Sequence, residues 1–211
     1  KSFYPTIKVI KDVETVFNDN DINAIVIATP ASTHFNLVME ALKSGKNVMV
    51  EKPMAMKVSE VEKIEKLALK NNLVAMVGHT FLYNSAVRYI KKLIENNDLG
   101  DIRYIYCQRL NLGRIRNDVD ALWSLAPHDI SILQYWLDEP DPLKVSRIGM
   151  DYVQKGINDV VFLNIQYPNN VMANIHVSWL DPRKIRRMTV VGSKKMVFYD
   201  DIAENKITIY S

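Results

Sequence analysis

Residues 23–28 (NAIVIA), 33–44 (THFNLVMEALKS), 47–51 (NVMVE), 61–70 (VEKIEKLALK) and 73–77 (LVAMV) repeat one rhythm: apolar run, turn, amphipathic segment, apolar run. That rhythm decides the fold. The apolar runs are short and continuous, so they read as strands covered on both faces. Pro30 and Pro53 lack an N–H for a ladder and close the first two of them. Between the strands, Leu37, Val38, Ala41 and Leu42 recur on one helical face, and Gly45 stops that helix. Ser59 and Glu62 are spaced as a capping box opening the helix at 61–70. Strand, helix, strand, helix, strand predicts three parallel, adjacent strands joined by right-handed crossovers. A short helix at 13–17, capped by Asp12, precedes them.

After Gly78 the grammar changes. Residues 86–95 read as a helix with Val87, Ile90, Leu93 and Ile94 inward, and 101–110 alternate as a strand. Pro127 suits the first turn of a helix running to Leu137. Strands follow at 145–150, 160–167, 171–180, 186–191, 196–199 and 206–210, with a hairpin loop at 168–170. The expected class is α/β: an incomplete Rossmann-type parallel sheet over 1–80, then an α+β domain over 81–211 with a large, mostly antiparallel sheet.

Composition narrows the function. The 211 residues carry 27 Lys+Arg and 24 Asp+Glu, a net charge of +3, too small and too dispersed to suggest nucleic acid as a partner. Charges interrupt every apolar run well before the ~20 residues a bilayer requires. Cys107 stands alone, which excludes an intrachain disulfide and fits a reducing, cytoplasmic setting. Four dispersed histidines offer no close ligand pair, so no dedicated metal site is expected. Seven glycines make ~3% of the chain against the usual ~7%. None is spaced as a phosphate-binding loop, so the first βαβ unit is expected to lie outside these residues, with Lys1 a cut end.

In an open parallel sheet, ligands bind beyond the carboxyl ends of the strands. That rule selects the turns at 28–34, 51–53 and 78–80. Lys52 follows a buried strand and is held by Pro53; it is either a solvated lysine at a strand end or a cation fixed at the rim of a site. His128, read in the first turn of its helix, is either a capping histidine or a neutral imidazole able to accept a proton. His34 and His79 fall on the other two turns. His176 and Cys107 sit inside strand patterns and read as structural. Arg114 and Arg116 offer guanidiniums suited to phosphate or carboxylate, and the cluster 183–187 (RKIRR) reads as a solvated edge.

The run Ala28-Thr29-Pro30, Ser32-Thr33-His34, Gly45-Lys46-Asn47-Val48, Glu51-Lys52-Pro53, Gly78-His79, Phe81-Leu82-Tyr83-Asn84, Leu99-Gly100-Asp101-Ile102 and Leu125-Ala126-Pro127-His128-Asp129 resembles the Gfo/Idh/MocA family of NAD(P)-dependent sugar and polyol oxidoreductases. The resemblance follows nearly the whole chain in order. It implies Lys52 and His128 as the catalytic pair, Lys52 polarising the reacting oxygen and His128 exchanging its proton. It implies a site for NAD, or less favourably NADP, that includes Thr29, Pro30, His34, Glu51, Lys52, His79, Arg109 and Trp123. Substrate contacts fall to Lys52, Arg114, Arg116, Ser124 and His128.

Many members carry Asp or Asn where this chain has Ser124. The stretch from Arg109 to Arg116, with LWSLAPHD, looks most like the branch that oxidises the 3-hydroxyl of nucleotide-linked amino sugars or their uronic acids. An inositol or simple aldose dehydrogenase and a non-catalytic binding relative are the alternatives. Family members commonly associate through the carboxy-terminal sheet, so a homo-oligomer is expected.

Overall fold

The computed structural model describes Tyr4, residues 6–113 and residues 115–211, and the chain divides into two units, 1–78 and 79–211.

In the first unit, helix α1 (Val13–Phe17) precedes β1 (Ala24–Ile27), α2 (Ala31–Lys43), β2 (Asn47–Val50), α3 (Val58–Asn71) and β3 (Ala75–Val77). The Asp12 side chain caps α1 by accepting from the Glu14 N–H. The strands are parallel in the order β1-β2-β3, with Ile27 opposite Val50 and Val50 opposite Val77. Val38, Ala41 and Leu42 of α2 and Ile64 and Ala68 of α3 are buried with Val48 and Val50, which is the core the helical spacing requires.

Two boundaries differ from the sequence reading. Helix α2 starts at Ala31, with Pro30 as its cap at φ −58° and an extended ψ of 142°, so the helix takes in two residues that the sequence reading gave to the turn. Helix α3 starts at Val58, so Ser59 lies inside its first turn and the capping box is not made; instead the Glu60 carboxylate accepts from the Met56 N–H.

The second unit opens with a 3₁₀ turn (Thr80–Tyr83) and α4 (Ser85–Glu95), then β4 (Ile102–Leu112) and α5 (Ala121–Leu137). Strands β5 (Lys144–Met150), β6 (Val160–Gln166), β7 (Met172–Ser178), β8 (Leu180–Gly192), β9 (Met196–Asp200) and β10 (Ile207–Tyr210) follow. The seven-stranded order is β10-β9-β8-β4-β7-β6-β5, antiparallel throughout except for the parallel pair β4–β7.

Ile105, Cys107, Ile175, Val177 and Val190 of the sheet share one core with Ile132, Leu133 and Trp136 of α5, which are fully buried. The Trp136 indole donates to the Val87 carbonyl at 2.9 Å, joining α5 to α4. On the opposite face, Phe162 stacks on His176 at 4.2 Å, and Ile148, Met172 and Tyr104 are exposed.

Strand β8 runs longer than the sequence reading of 186–191. Leu112 pairs with Leu180 and Leu110 with Ile185, so the segment around Pro182 bulges out between two paired stretches.

Candidate active site

The turns after β1 and β2 lie at the carboxyl end of the parallel sheet. The Glu51 N–H donates to Ile27 at 2.9 Å and the Gly78 N–H to Val50 at 2.8 Å, so the ladder reaches the base of the candidate turns. Thr29, Pro30 and Glu51 are exposed there, and Lys52 is partly buried with a cis bond to Pro53. Beneath them His34, 1% exposed, presents Nδ1 to the Pro53 carbonyl at 2.7 Å and Nε2 to the Thr29 carbonyl at 2.8 Å. Its ring braces the two turns from below. The Thr29 and Thr33 hydroxyls are 2.7 Å apart, and Thr33 donates to the Pro30 carbonyl at 2.8 Å.

The candidate residues of the second unit gather around α5. Asp120 caps the helix by accepting from the Trp123 N–H at 2.9 Å. Pro127 is therefore inside the helix, not in its first turn, and cannot donate to the Trp123 carbonyl. His128 sits two turns in, so the helix dipole does not act on it as the sequence reading supposed; that effect is confined to the terminal turn. Its ring packs at 5.1 Å against Phe81. Ser131 donates its hydroxyl to the His128 carbonyl at 2.8 Å.

Arg109 and Asp129 form a buried fork. Arg109 Nε and Nη2 reach the two Asp129 oxygens at 3.0 and 2.8 Å, with the residues 5% and 1% exposed. Burial pushes the Asp129 carboxyl above its ordinary value, and Arg109 offsets only part of that rise. The guanidinium also lies 4.7 Å from the Phe81 ring centre.

A cavity of about 630 Å³ opens along the outer face of α5, between His79, Leu82, Trp123, Pro127, Gln134 and Glu139. Its size and mainly apolar wall suit a small-molecule site. His79 and Trp123, expected at the cofactor, line it, while Ser124 is partly buried on the same helix.

The other expected residues stand elsewhere. Arg116 is forked onto Asp118 at 2.8 and 2.6 Å on the surface, and this contact holds the Asp118 carboxyl below its ordinary range. Arg114 lies outside the described residues. Of the basic cluster, Arg186 reaches Asp201 at 3.4 Å and Arg187 reaches Asp200 at 2.7 Å. Burial pushes the Cys107 thiol up, as befits a core residue. Among the described residues no group of three or more His, Cys, Asp or Glu is placed to hold a metal ion, and no helix is long and apolar enough to cross a membrane.

Sequence reading passed over Asp129, Phe81 and the cavity's Gln134 and Glu139. The signal for Asp129 was available: Arg109 follows Ile105 and Cys107 on the inward face of β4, and a buried cation requires a partner.

Residues 3–79 match the model of the oxidoreductase family with an NAD-binding Rossmann fold, and residues 87–198 match the GFO/IDH/MocA C-terminal domain. The UDP-N-acetylglucosamine 3-dehydrogenase of Acidithiobacillus ferrooxidans is 26% identical over 191 residues, covering 90% of this chain and 59% of that protein. Its solved structure superposes with a TM-score of 0.84 at 24% identity over 96% of this chain and 64% of that one. The 2,7-anhydro-N-acetylneuraminate hydratase of Mediterraneibacter gnavus is 25% identical over 173 residues, 75% of this chain and 46% of that protein. An inositol dehydrogenase homologue of Azotobacter vinelandii, solved with NADH and myo-inositol, gives a TM-score of 0.87 at 22% identity over 93% of this chain and 56% of that one. The chain thus spans about half the length of the curated relatives it matches.

Proposed function

Because the chain belongs to the Gfo/Idh/MocA oxidoreductase family, we propose that it carries the catalytic residues of an NAD(P)-dependent dehydrogenase whose substrate is a nucleotide-linked amino sugar or its uronic acid. The observation that carries the reading is the turn after β2. Lys52 is placed at the carboxyl end of a parallel strand, within an NAD-binding Rossmann fold, on a loop braced by His34.

The residues present fit a dinucleotide. Helix α2 starts without a side-chain cap, beside exposed Thr29, Pro30 and Glu51 along one rim of the sheet. When bound, the nicotinamide supplies the hydride chemistry. In this reading Lys52 stabilises negative charge on the reacting oxygen and His128 accepts its proton. Ser124, one helical turn before His128, cannot supply the charge that an aspartate would. Arg116 is already paired with Asp118, so an anionic substrate must displace that partner or find another cation.

The carboxy-terminal sheet serves in this proposal as the face for a second copy of the chain. Ile148, Phe162, Met172 and Tyr104 are exposed on it, and light scattering at micromolar concentration should report an oligomer; a monomer counts against that part.

The substrate class is tested with the full-length protein, NAD and a panel of UDP-amino sugars, their uronates, inositols and free aldoses, following reduced-nicotinamide absorbance. Turnover confined to the UDP-sugars supports the proposal. Turnover confined to inositols or aldoses assigns those instead. The hydratase relative favours one second reading, net addition of water to a sugar derivative. Its mark is product formation with no net absorbance change.

A further inference from the structure

We propose that Arg109 is a positioning residue for His128, its guanidinium forked onto Asp129 and stacked over Phe81 so as to fix the direction of the α5 imidazole. The proposal rests on the reading of His128 as the proton acceptor, and it assigns Arg109 away from direct contact with a dinucleotide.

Successive side chains on a helix diverge by about 100°, so holding Asp129 by two bonds fixes the rotation of α5 at this level and, with it, the bearing of His128 one residue earlier. Strand β4 supplies the anchor, because Arg109 is inward-facing and its backbone is paired on both sides, to Val177 of β7 and Arg186 of β8. The second contact is through Phe81. The Arg109 guanidinium lies 4.7 Å from that ring, and the His128 ring packs against it at 5.1 Å with a 60° tilt. One buried cation therefore fixes both the helix that carries the imidazole and the aromatic ring beside it. A buried ion pair is seldom the most stabilising filling for its space, and setting a unique geometry is its best-attested use. Asp201 and Tyr199, joined by a 3.0 Å hydrogen bond, add a further carboxylate and phenol to this neighbourhood, and Arg186 reaches the same carboxylate.

The test uses the full-length protein with two variants, Arg109→Met/Asp129→Leu, which replaces the pair by apolar groups, and Phe81→Leu, which leaves the pair in place. The readouts are melting temperature, kcat and KM on the substrate found above, and the His128 ring resonances in carbon–proton NMR, assigned by their loss in His128→Gln. Both variants are expected to melt near wild type, to lose about tenfold or more in kcat with KM within about threefold, and to shift the His128 resonances. A folded Arg109→Met/Asp129→Leu protein with wild-type kcat and unmoved resonances overturns the proposal. If His128→Gln keeps wild-type turnover, it is the reading of the reaction that fails; moved resonances in the other variants then still support the positioning, and unmoved ones overturn it.

Discussion

Replacing Arg109 by Met leaves the Asp129 carboxylate in a site only 1% exposed, with both of its 2.8–3.0 Å partners removed. Breaking a buried pair from one side typically costs about 3–5 kcal/mol. An upper limit comes from the escape open to the carboxyl, which is to take up a proton. With an ordinary pKa of about 3.9, neutralisation costs about 1.4 kcal/mol per pH unit, hence about 4 kcal/mol at pH 7 and about 1.5 kcal/mol at pH 5. In the native protein burial pushes the Asp129 carboxyl up while Arg109 pulls it down, so removing Arg109 raises it further. A folded-state value above the unfolded one means that the folded protein binds the extra proton. Stability is then greatest below about pH 4 and is lost as the pH climbs toward the raised value. The deficit of Arg109→Met should therefore be no more than about 4 kcal/mol at pH 7 and smaller by up to about 2–3 kcal/mol at pH 5. All three tryptophans, Trp123, Trp136 and Trp179, belong to the second unit, so urea unfolding followed by fluorescence reads the unit concerned. Adding Asp129→Leu should recover most of the loss at pH 7. A deficit under about 1 kcal/mol, or one equal at both pH values, refutes the reasoning.

Two further outcomes follow from local geometry. At Gly192 an added methyl group would collide with the backbone carbonyl of Leu99, which accepts from the Lys194 N–H at 2.9 Å, so Gly192→Ala should cost about 2–3 kcal/mol in the same unfolding experiment. Gly156→Ala, at φ +83° with open space around it, should cost only about 1 kcal/mol, and equal losses at the two sites would contradict the packing argument. His176, stacked on Phe162, has its pKa lowered from 6.5 by burial, against the opposing pull of Asp181. The unfolded chain thus binds the proton first, and the contribution of neutral His176 is complete above pH 6.5 and is lost as the pH falls. His176→Gln should flatten the acid arm of a melting-temperature profile, and an unchanged slope would reject the assignment.

The parallel half of the fold was legible because its determinants are local: apolar runs of strand length, helical spacing between them, and prolines ending the first two strands. The start of α5 was misread because Pro127 is a conspicuous first-turn residue, whereas Asp120, seven positions earlier, makes the actual cap. That misreading put His128 at a helix end, whereas the structure places it two turns inside the helix, beyond the reach of the terminal dipole. The parallel pairing of β4 with β7 was not legible, since it joins strands that β5 and β6 separate in sequence, and no local pattern encodes which neighbour a strand will take. The position of the Lys52 turn after β2 was legible, but the contacts of His34 were not. Its position suggested a ligand contact, while the folded chain turns both ring nitrogens to backbone carbonyls. Arg109 shows the same limit: the resemblance implied a cofactor contact, whereas the fold buries its guanidinium against Asp129.

The central claim is that Lys52 is the group on which hydride transfer depends. It is tested most directly by comparing single-turnover nicotinamide reduction in full-length wild-type and Lys52→Ala proteins at matched substrate saturation. The account expects the rate to fall by about 10²–10⁴-fold with an unchanged melting temperature, since in the proposed mechanism the Lys52 ammonium acts only on charge that develops on the substrate oxygen. A Lys52→Ala protein that folds normally and reduces nicotinamide at close to the wild-type rate would contradict it.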